Sequence, residues 1–204
     1  MFIGKWNKSV ILTYIGLGFA ILGMYLAIIQ NNILLSFMCL MISGVCDMFD
    51  GKIARLCKRN DEEIAFGIEL DSLVDVVCFV ILPIIIYLSM GFTAWYNIVT
   101  YILLAVCGIA RLGYFNVCTA TKDGKAIKYY EGLPVTVAAI TFPLGYLLNY
   151  VMSDVVFYIF FSLLITIEAI LNITKIKIKK TSGIMYPIMA VLAVAMIIIY
   201  AVLL

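Results

Sequence analysis

Residues 46–79 read CDMFDGKIARLCKRNDEEIAFGIELDSLVDVVCF. Asp47, Asp50, Asp71 and Asp75 stand here inside text that otherwise suits a lipid bilayer. At 3.6 residues per turn, Asp47 and Asp50 share one side of a helix with Gly51 and Ala54. Gly67, Asp71 and Asp75 follow at i, i+4, i+8 and share the face of a second helix. A polar turn between the two helices brings the acidic faces together. Four carboxylates facing one another in a low-dielectric medium repel by several kcal/mol unless cations sit between them. Hard divalent ions with oxygen ligands are the natural compensation. The chain has no histidine, which excludes an imidazole-bound zinc site and a histidine base.

Outside this stretch the composition is that of a polytopic membrane protein. Hydrophobic residues make up 65% and charged residues 13%, about half the charge of a soluble domain. The expected fold is all-α and integral to the membrane, as a single domain over 1–204. After an interfacial lead at 1–9, carrying Lys5, Trp6 and Lys8, spans are expected at about 10–29, 33–57, 64–89, 94–118, 134–151, 155–173 and 184–204. Pro83 marks a kink in the third, and Pro134 suits the first turn of the fifth. Six cysteines fall in or beside apolar runs with no CxxC pair, and read as small apolar side chains.

The charges orient the chain. With the N-terminus inside, all 14 Lys and Arg fall in the inner segments or the helix ends that abut them. The outer turns at 30–32, 90–93 and 152–154 have none. The positive-inside pattern places the N-terminus and the acidic site on the cytoplasmic side of the cell membrane. Gly67 to Asp75 covers roughly 12 Å of helix, within the cytoplasmic half of the bilayer.

A lone intramembrane aspartate could serve only as a structural hydrogen-bonding group. Four at helical spacing, each costing about 2.5–3.5 kcal/mol to insert, point to a function. Gly51, Ala54 and Gly67 could permit close helix packing or clear room for a bulky ligand; their place beside the acids favours the ligand. A cation transporter is the competing class. Its passage would need polar groups continuing to the far face, where the spans are almost wholly apolar.

The same residues closely resemble the motif of the CDP-alcohol phosphotransferase family, D-x2-D-G-x2-A-R-x8-G-x3-D-x3-D. Asp47, Asp50, Gly51, Ala54, Arg55, Gly67, Asp71 and Asp75 fill every specified position. The gap from Arg55 to Gly67 holds 11 residues instead of eight. Within the family, FGIELDSLVDVV around Asp71, CGIARLGYFNV at 107–117 and EGLP at 131–134 resemble the phosphatidylserine synthase branch. The resemblance implies a six-helix core with the seventh span as an addition, a homodimer, and a CDP-linked lipid and L-serine as substrates. The products would be CMP and a phosphatidylserine-type lipid, on a diacylglycerol or an archaeol scaffold. A polyol phosphate is the alternative acceptor. Thr13 matches the family's N-terminal threonine, whereas Gly16 stands where an asparagine is usual. No nucleic acid is implied, and the membrane lipids are the surroundings.

Roles follow for that chemistry. Cleaving a diphosphate between two anions needs charge neutralisation, which two ions of Mg2+ or Mn2+ supply. Asp47, Asp50 and Asp71 are the candidate ligands, with Asp75 shared between metal binding and the role of catalytic base. The CDP-lipid would meet Asp47, Gly51, Ala54, Arg55, Gly67 and Thr13. The serine carboxylate would meet Arg111, whose planar fork suits it, near Asn116 and the turn with Gly132 and Pro134. A snorkelling Arg111 is the plainer alternative. Lys122, Lys125, Lys128 and the run KIKIKK at 175–180 read as anchors to anionic headgroups. Glu168 in the sixth span receives no role.

Overall fold

The computed structural model describes residues 3–121, 129–179 and 185–204, with side chains described outside 119–131 and 177–190. Seven helices account for nearly all of it. A 3-10 turn at Lys8–Val10, capped by Asn7, leads into α1 (Ile11–Ile28). Asn32 then caps α2 (Ile33–Leu56), its side chain accepting from the Leu35 N–H at 3.0 Å. The polar turn ends at Asn60, which starts α3 (Asp61–Ser89) through a reciprocal capping box with Glu63. Three acids in the first turn of α3 suit its positive end.

Pro83 has no N–H to give, and α3 accommodates it with one π turn at Val77–Ile81, where the Leu82 N–H reaches back to the Val77 carbonyl. The expected kink is thus a π bulge, set directly after Asp75. α4 (Trp95–Thr121) runs past its expected end at 118. α5 (Ala138–Tyr146) is short and flanked by 3-10 turns at Val135–Val137 and Leu147–Tyr150, with Pro143 inside it. Pro134 therefore precedes a 3-10 turn rather than opening an α-helix. α6 (Asp154–Ile173) and α7 (Met185–Leu203) complete the set. Among the described residues, five helices are long and apolar enough to cross a membrane; α5 with its flanking turns is shorter. The protein is an all-α integral membrane fold.

One element lies outside the helical expectation. β1 (Tyr129–Glu131) and β2 (Lys177–Lys179) pair antiparallel, with Tyr130 opposite Ile178. This ribbon ties the chain before α5 to the chain after α6. The lysines at 122, 125, 128 and 180, expected as headgroup anchors, lie outside the described residues.

Lipid is as apolar as a leucine side chain, so helices in a bilayer associate through close contact and hydrogen bonds. The α1–α2 seam has both. Ser36 Oγ donates to the Gly23 carbonyl at 2.7 Å, and Ser43 Oγ donates to the Gly16 carbonyl at 2.8 Å. A Cβ on Gly23 would stand 3.0 Å from Cys39 Cβ, and one on Gly16 would stand 3.3 Å from Cys46 Cβ. Seven residues separate the members of each pair, as two helix turns require. One heptad further along α2 is Asp50, which accepts from Thr13 Oγ1 at 3.0 Å. The packing seam runs directly into the acidic site.

The other end of the bundle is held by aromatic rings. Tyr87 of α3 meets Phe142 of α5 and Phe161 of α6 edge-on, at centroid distances of 5.3 and 5.1 Å. Tyr200 Oη of α7 donates to the Pro143 carbonyl at 2.6 Å. The N-terminal lead joins the bundle through Lys5 and Glu62, 2.6 Å apart and both exposed, and the hydrogen bond and charge of Glu62 raise the Lys5 ammonium above its ordinary value.

Gly132 is the position with least freedom to change. Its φ is +81°, and a Cβ there would lie 2.3 Å from the Asn172 carbonyl oxygen on α6. Its N–H donates to Ile176 O, and the next N–H, of Leu133, donates to Leu171 O. Gly132→Ala should lower stability by upward of about 2 kcal/mol, from backbone strain and the clash together. Gly113→Ala should be neutral or stabilising, since nothing lies within 4 Å of its Cβ position. Thermal unfolding of the detergent-solubilised protein compares the two; equal midpoints would contradict the strained role of Gly132.

Candidate active site

α2 and α3 present their acidic faces to one cavity of about 390 Å³. Asp47, Asp50, Gly51 and Arg55 come from α2, Asp71 and Asp75 from α3, Arg111 and Asn116 from α4, and Pro134 from the turn before α5. The polar turn at 57–60 and the capping box of α3 reverse the chain so that both faces point inward. Asp50 and Asp75 are buried, whereas Asp47 and Asp71 are partly accessible from the cavity.

The four carboxylates divide into a set of three and one held behind it. Asp47, Asp71 and Asp75 each offer an oxygen, all within 4.8 Å of one another. Oxygens on opposite sides of a hard divalent ion lie about 4–5 Å apart, given ligand distances of about 2.0–2.6 Å. The set fits such an ion in spacing and in chemistry, since all its donors are hard oxygens. Asp50 adjoins Asp71 and is fixed from behind by Thr13.

Several expected residues stand elsewhere. Thr13 is buried behind Asp50 and borders a small inner pocket with all four aspartates, so it orients a carboxylate instead of facing the large cavity. Ala54 and Gly67 are outside the cavity wall; a Cβ on Gly67 would lie 3.7 Å from Arg59 Nη1. Arg55 stands at the rim with its Nε donating to the Gly51 carbonyl at 3.0 Å. Gly132 borders a second cavity that also touches Arg111. Arg111 is buried and lies 5.5 Å from the centre of the Phe115 ring, so it faces the interior and does not snorkel outward.

The sequence reading missed three polar lining residues. Lys52, whose ammonium is 5.2 Å from the Phe49 ring centre, borders the cavity beside Gly51. Ser72 exchanges hydrogen bonds with the Asn116 side chain at 3.0 and 3.1 Å, and so joins α3 to α4 beside Asp71. Thr136 borders the cavity from the turn before α5. Lys52 and Ser72 occupy unspecified motif positions next to specified ones, and that adjacency was the available signal. Glu168 is buried and is not among the residues lining this cavity; it accepts a hydrogen bond from Thr141 Oγ1.

Two facing acidic helices in an apolar bundle, with a cation on the opposite wall, form a membrane-embedded site fit for a hard cation and an anionic ligand. A family model described as CDP-alcohol phosphatidyltransferase matches residues 6–204, and the chain belongs to that family. The chain is 38% identical over 110 residues to the CDP-diacylglycerol–serine O-phosphatidyltransferase of Saccharomyces cerevisiae, covering 50% of this chain and 38% of that protein. It is 37% identical over 112 residues to the archaetidylserine synthase of Methanothermobacter thermautotrophicus, covering 54% and 46%. It is 35% identical over 109 residues to the CDP-diacylglycerol–serine O-phosphatidyltransferase of Helicobacter pylori, covering 52% and 44%. These matches span less than half the length of each relative.

An ion that binds the folded state should raise the unfolding temperature. At a hundredfold excess over its dissociation constant, Mg2+ or Mn2+ should add about 2.7 kcal/mol. Asp75→Asn should do two opposite things: stabilise the ion-free protein by removing a repelling charge, and cancel the ion-induced gain. Thermal unfolding with and without the ion measures both, and an undiminished gain in the variant would remove Asp75 from the ion site.

Proposed function

We propose that the protein transfers a phosphatidyl-type group from a CDP-linked lipid to the hydroxyl of L-serine, releasing CMP. The observation that carries this reading is the single cavity in which the motif carboxylates of α2 and α3 face Arg111 of α4. The three relatives, each named as an enzyme that uses serine or makes a serine-bearing lipid, support the choice of acceptor.

The chain's residues suit each part of the reaction. Lys52 and Arg55 at the cavity rim offer cations to the diphosphate, and Gly51 leaves the α2 backbone open to the nucleotide. The serine hydroxyl oxygen bonds to the lipid-bearing phosphorus as the bond from that phosphorus to the bridging oxygen breaks. CMP leaves with the electron pair, and Asp75 takes the hydroxyl proton. Arg111 holds the serine carboxylate, and the Ser72–Asn116 pair keeps α4 in register with Asp71 and Asp75. A divalent ion on Asp47, Asp71 and Asp75 would neutralise diphosphate charge, and Asp50 is the additional ligand for a second ion of the same kind. Mg2+ and Mn2+ are the ions that this donor set favours.

The site is assigned to the cytoplasmic side and the working unit is taken as a homodimer. The basic segments gather at one end of the bundle, which supports that orientation. Lys5 reaches Glu62 at the start of α3, and the β1–β2 ribbon joins the chain at 129–131 to the chain at 177–179.

The direct experiment supplies purified protein with CDP-diacylglycerol or CDP-archaeol, labelled serine and Mg2+ or Mn2+, and follows CMP with the lipid product. CMP should appear only with serine and a divalent ion, and a chelator should stop it. Asp75→Asn should reduce turnover at least about a hundredfold while CDP-lipid binding persists. CMP release at an equal rate without serine would reject the acceptor, and near-normal turnover in the variant would reject the base.

Orientation has its own measurement. In a background without the native cysteines, a cysteine at Asn31 or Ser153 should react with an impermeant thiol reagent from outside intact cells. Reaction at both positions only from the cytoplasmic face would invert the topology.

A further inference from the structure

Arg111 borders two cavities. Beyond it lies the second, about 260 Å³, between the C-terminal parts of α4 and α6. Its wall includes Tyr114, Gly132, Asn172, Thr174 and Lys175. No acidic residue lines it among the described residues, whereas the first cavity has four carboxylates. The two spaces therefore differ in electrostatic sign, with the guanidinium on their common border.

We infer that this second cavity is an anion subsite in which Lys175, together with Arg111, holds the carboxylate of the acceptor amino acid. The inference rests on the proposed reaction and adds a specificity residue to it. Serine must bring its hydroxyl to the carboxylate-lined side, where the diphosphate also has to sit. A second carboxylate placed there would be repelled by the four aspartates. Directed past Arg111, the same carboxylate meets two cations and, among the described residues, no acid. The volume is ample for the three-carbon acceptor.

Two further features suit a polar ligand. Asn172 is buried at the cavity wall, and its Oδ1 has no hydrogen-bond partner among the described residues, so an acceptor for an ammonium group is at hand. Gly132 sits against the Asn172 carbonyl, which fixes the turn that borders both cavities. Lys175 itself is exposed at the end of α6 and carries no packing role, which makes it a suitable probe.

The experiment measures CMP release against serine and against CDP-lipid for the wild type, Lys175→Met and Lys175→Arg. Lys175→Met should raise the serine KM about tenfold or more, as loss of a charge-assisted contact does. The CDP-lipid KM should stay within about twofold, and Lys175→Arg should recover most of the serine affinity. Ethanolamine lacks the carboxylate, so its rates should be the same in wild type and Lys175→Met. An unchanged serine KM would overturn the inference, as would a parallel rise in the CDP-lipid KM. A shift confined to anionic-lipid vesicles and absent in neutral ones would also overturn it, leaving Lys175 as a headgroup anchor. Wild-type protein without serine-dependent CMP release would defeat the proposed reaction itself. Serine-dependent release with unaltered Lys175→Met kinetics would defeat the lysine assignment alone.

Discussion

Mutual repulsion among Asp47, Asp50, Asp71 and Asp75 is the constraint that the rest of the bundle is built to withstand. Carboxylates as close as those of Asp47, Asp71 and Asp75 repel one another when all are ionised. Something else must hold α2 and α3 together, and neither helix could do it through lipid-facing leucines. The α1–α2 seam supplies serine-to-carbonyl hydrogen bonds and, at Gly16 and Gly23, close approach of the α1 backbone to Cys46 and Cys39. One heptad further along α2 the same seam delivers Thr13 to Asp50. Scaffold and site are therefore one continuous line of contacts, so loosening the seam would also release a carboxylate.

The π turn at Val77–Ile81 belongs to the same logic. An extra residue in one turn rotates everything beyond it relative to everything before it. Placed just after Asp75, it lets the first part of α3 aim two acids at the cavity while the second part buries Tyr87 among rings of α5 and α6. An undistorted helix carrying Pro83 would have to compromise one of these faces. The proline forces the adjustment, and its position decides where the adjustment falls.

The acidic half of the site was legible in the sequence because helical spacing alone predicts which aspartates share a face. The five long apolar helices were legible because hydropathy in a bilayer is a strong local signal, whereas α5 with its flanking turns is shorter. What escaped the reading was contact between distant segments. Nothing local in the sequence couples Ser72 to Asn116, or turns Gly132 against the Asn172 carbonyl. Thr13 was identified by resemblance as a residue of the donor site, yet its side chain serves that site from behind, through Asp50. The ribbon of β1 and β2 was invisible for a related reason. Its strands are three residues each, and their pairing depends on α5 and α6 bringing their ends together.

Charge separation across the site follows from this architecture. Among the described residues, α2 and α3 supply every carboxylate that faces the large cavity, α2 adds Lys52 and Arg55 at its rim, and α4 and the end of α6 supply Arg111 and Lys175. In the proposed reaction the donor and its ions belong to the first pair of helices, and the acceptor belongs to the second. Residues in the Gly132 turn and at the end of α6 stand apart from the carboxylate set, which is tied to α4 by the Ser72–Asn116 pair and by the charge of Arg111 acting on Asp47 and Asp75. The same acidic motif could thus serve different acceptor alcohols if the basic wall is rebuilt. Selectivity for a zwitterion over a plain amino alcohol then comes down to how many cations stand on the far side of Arg111.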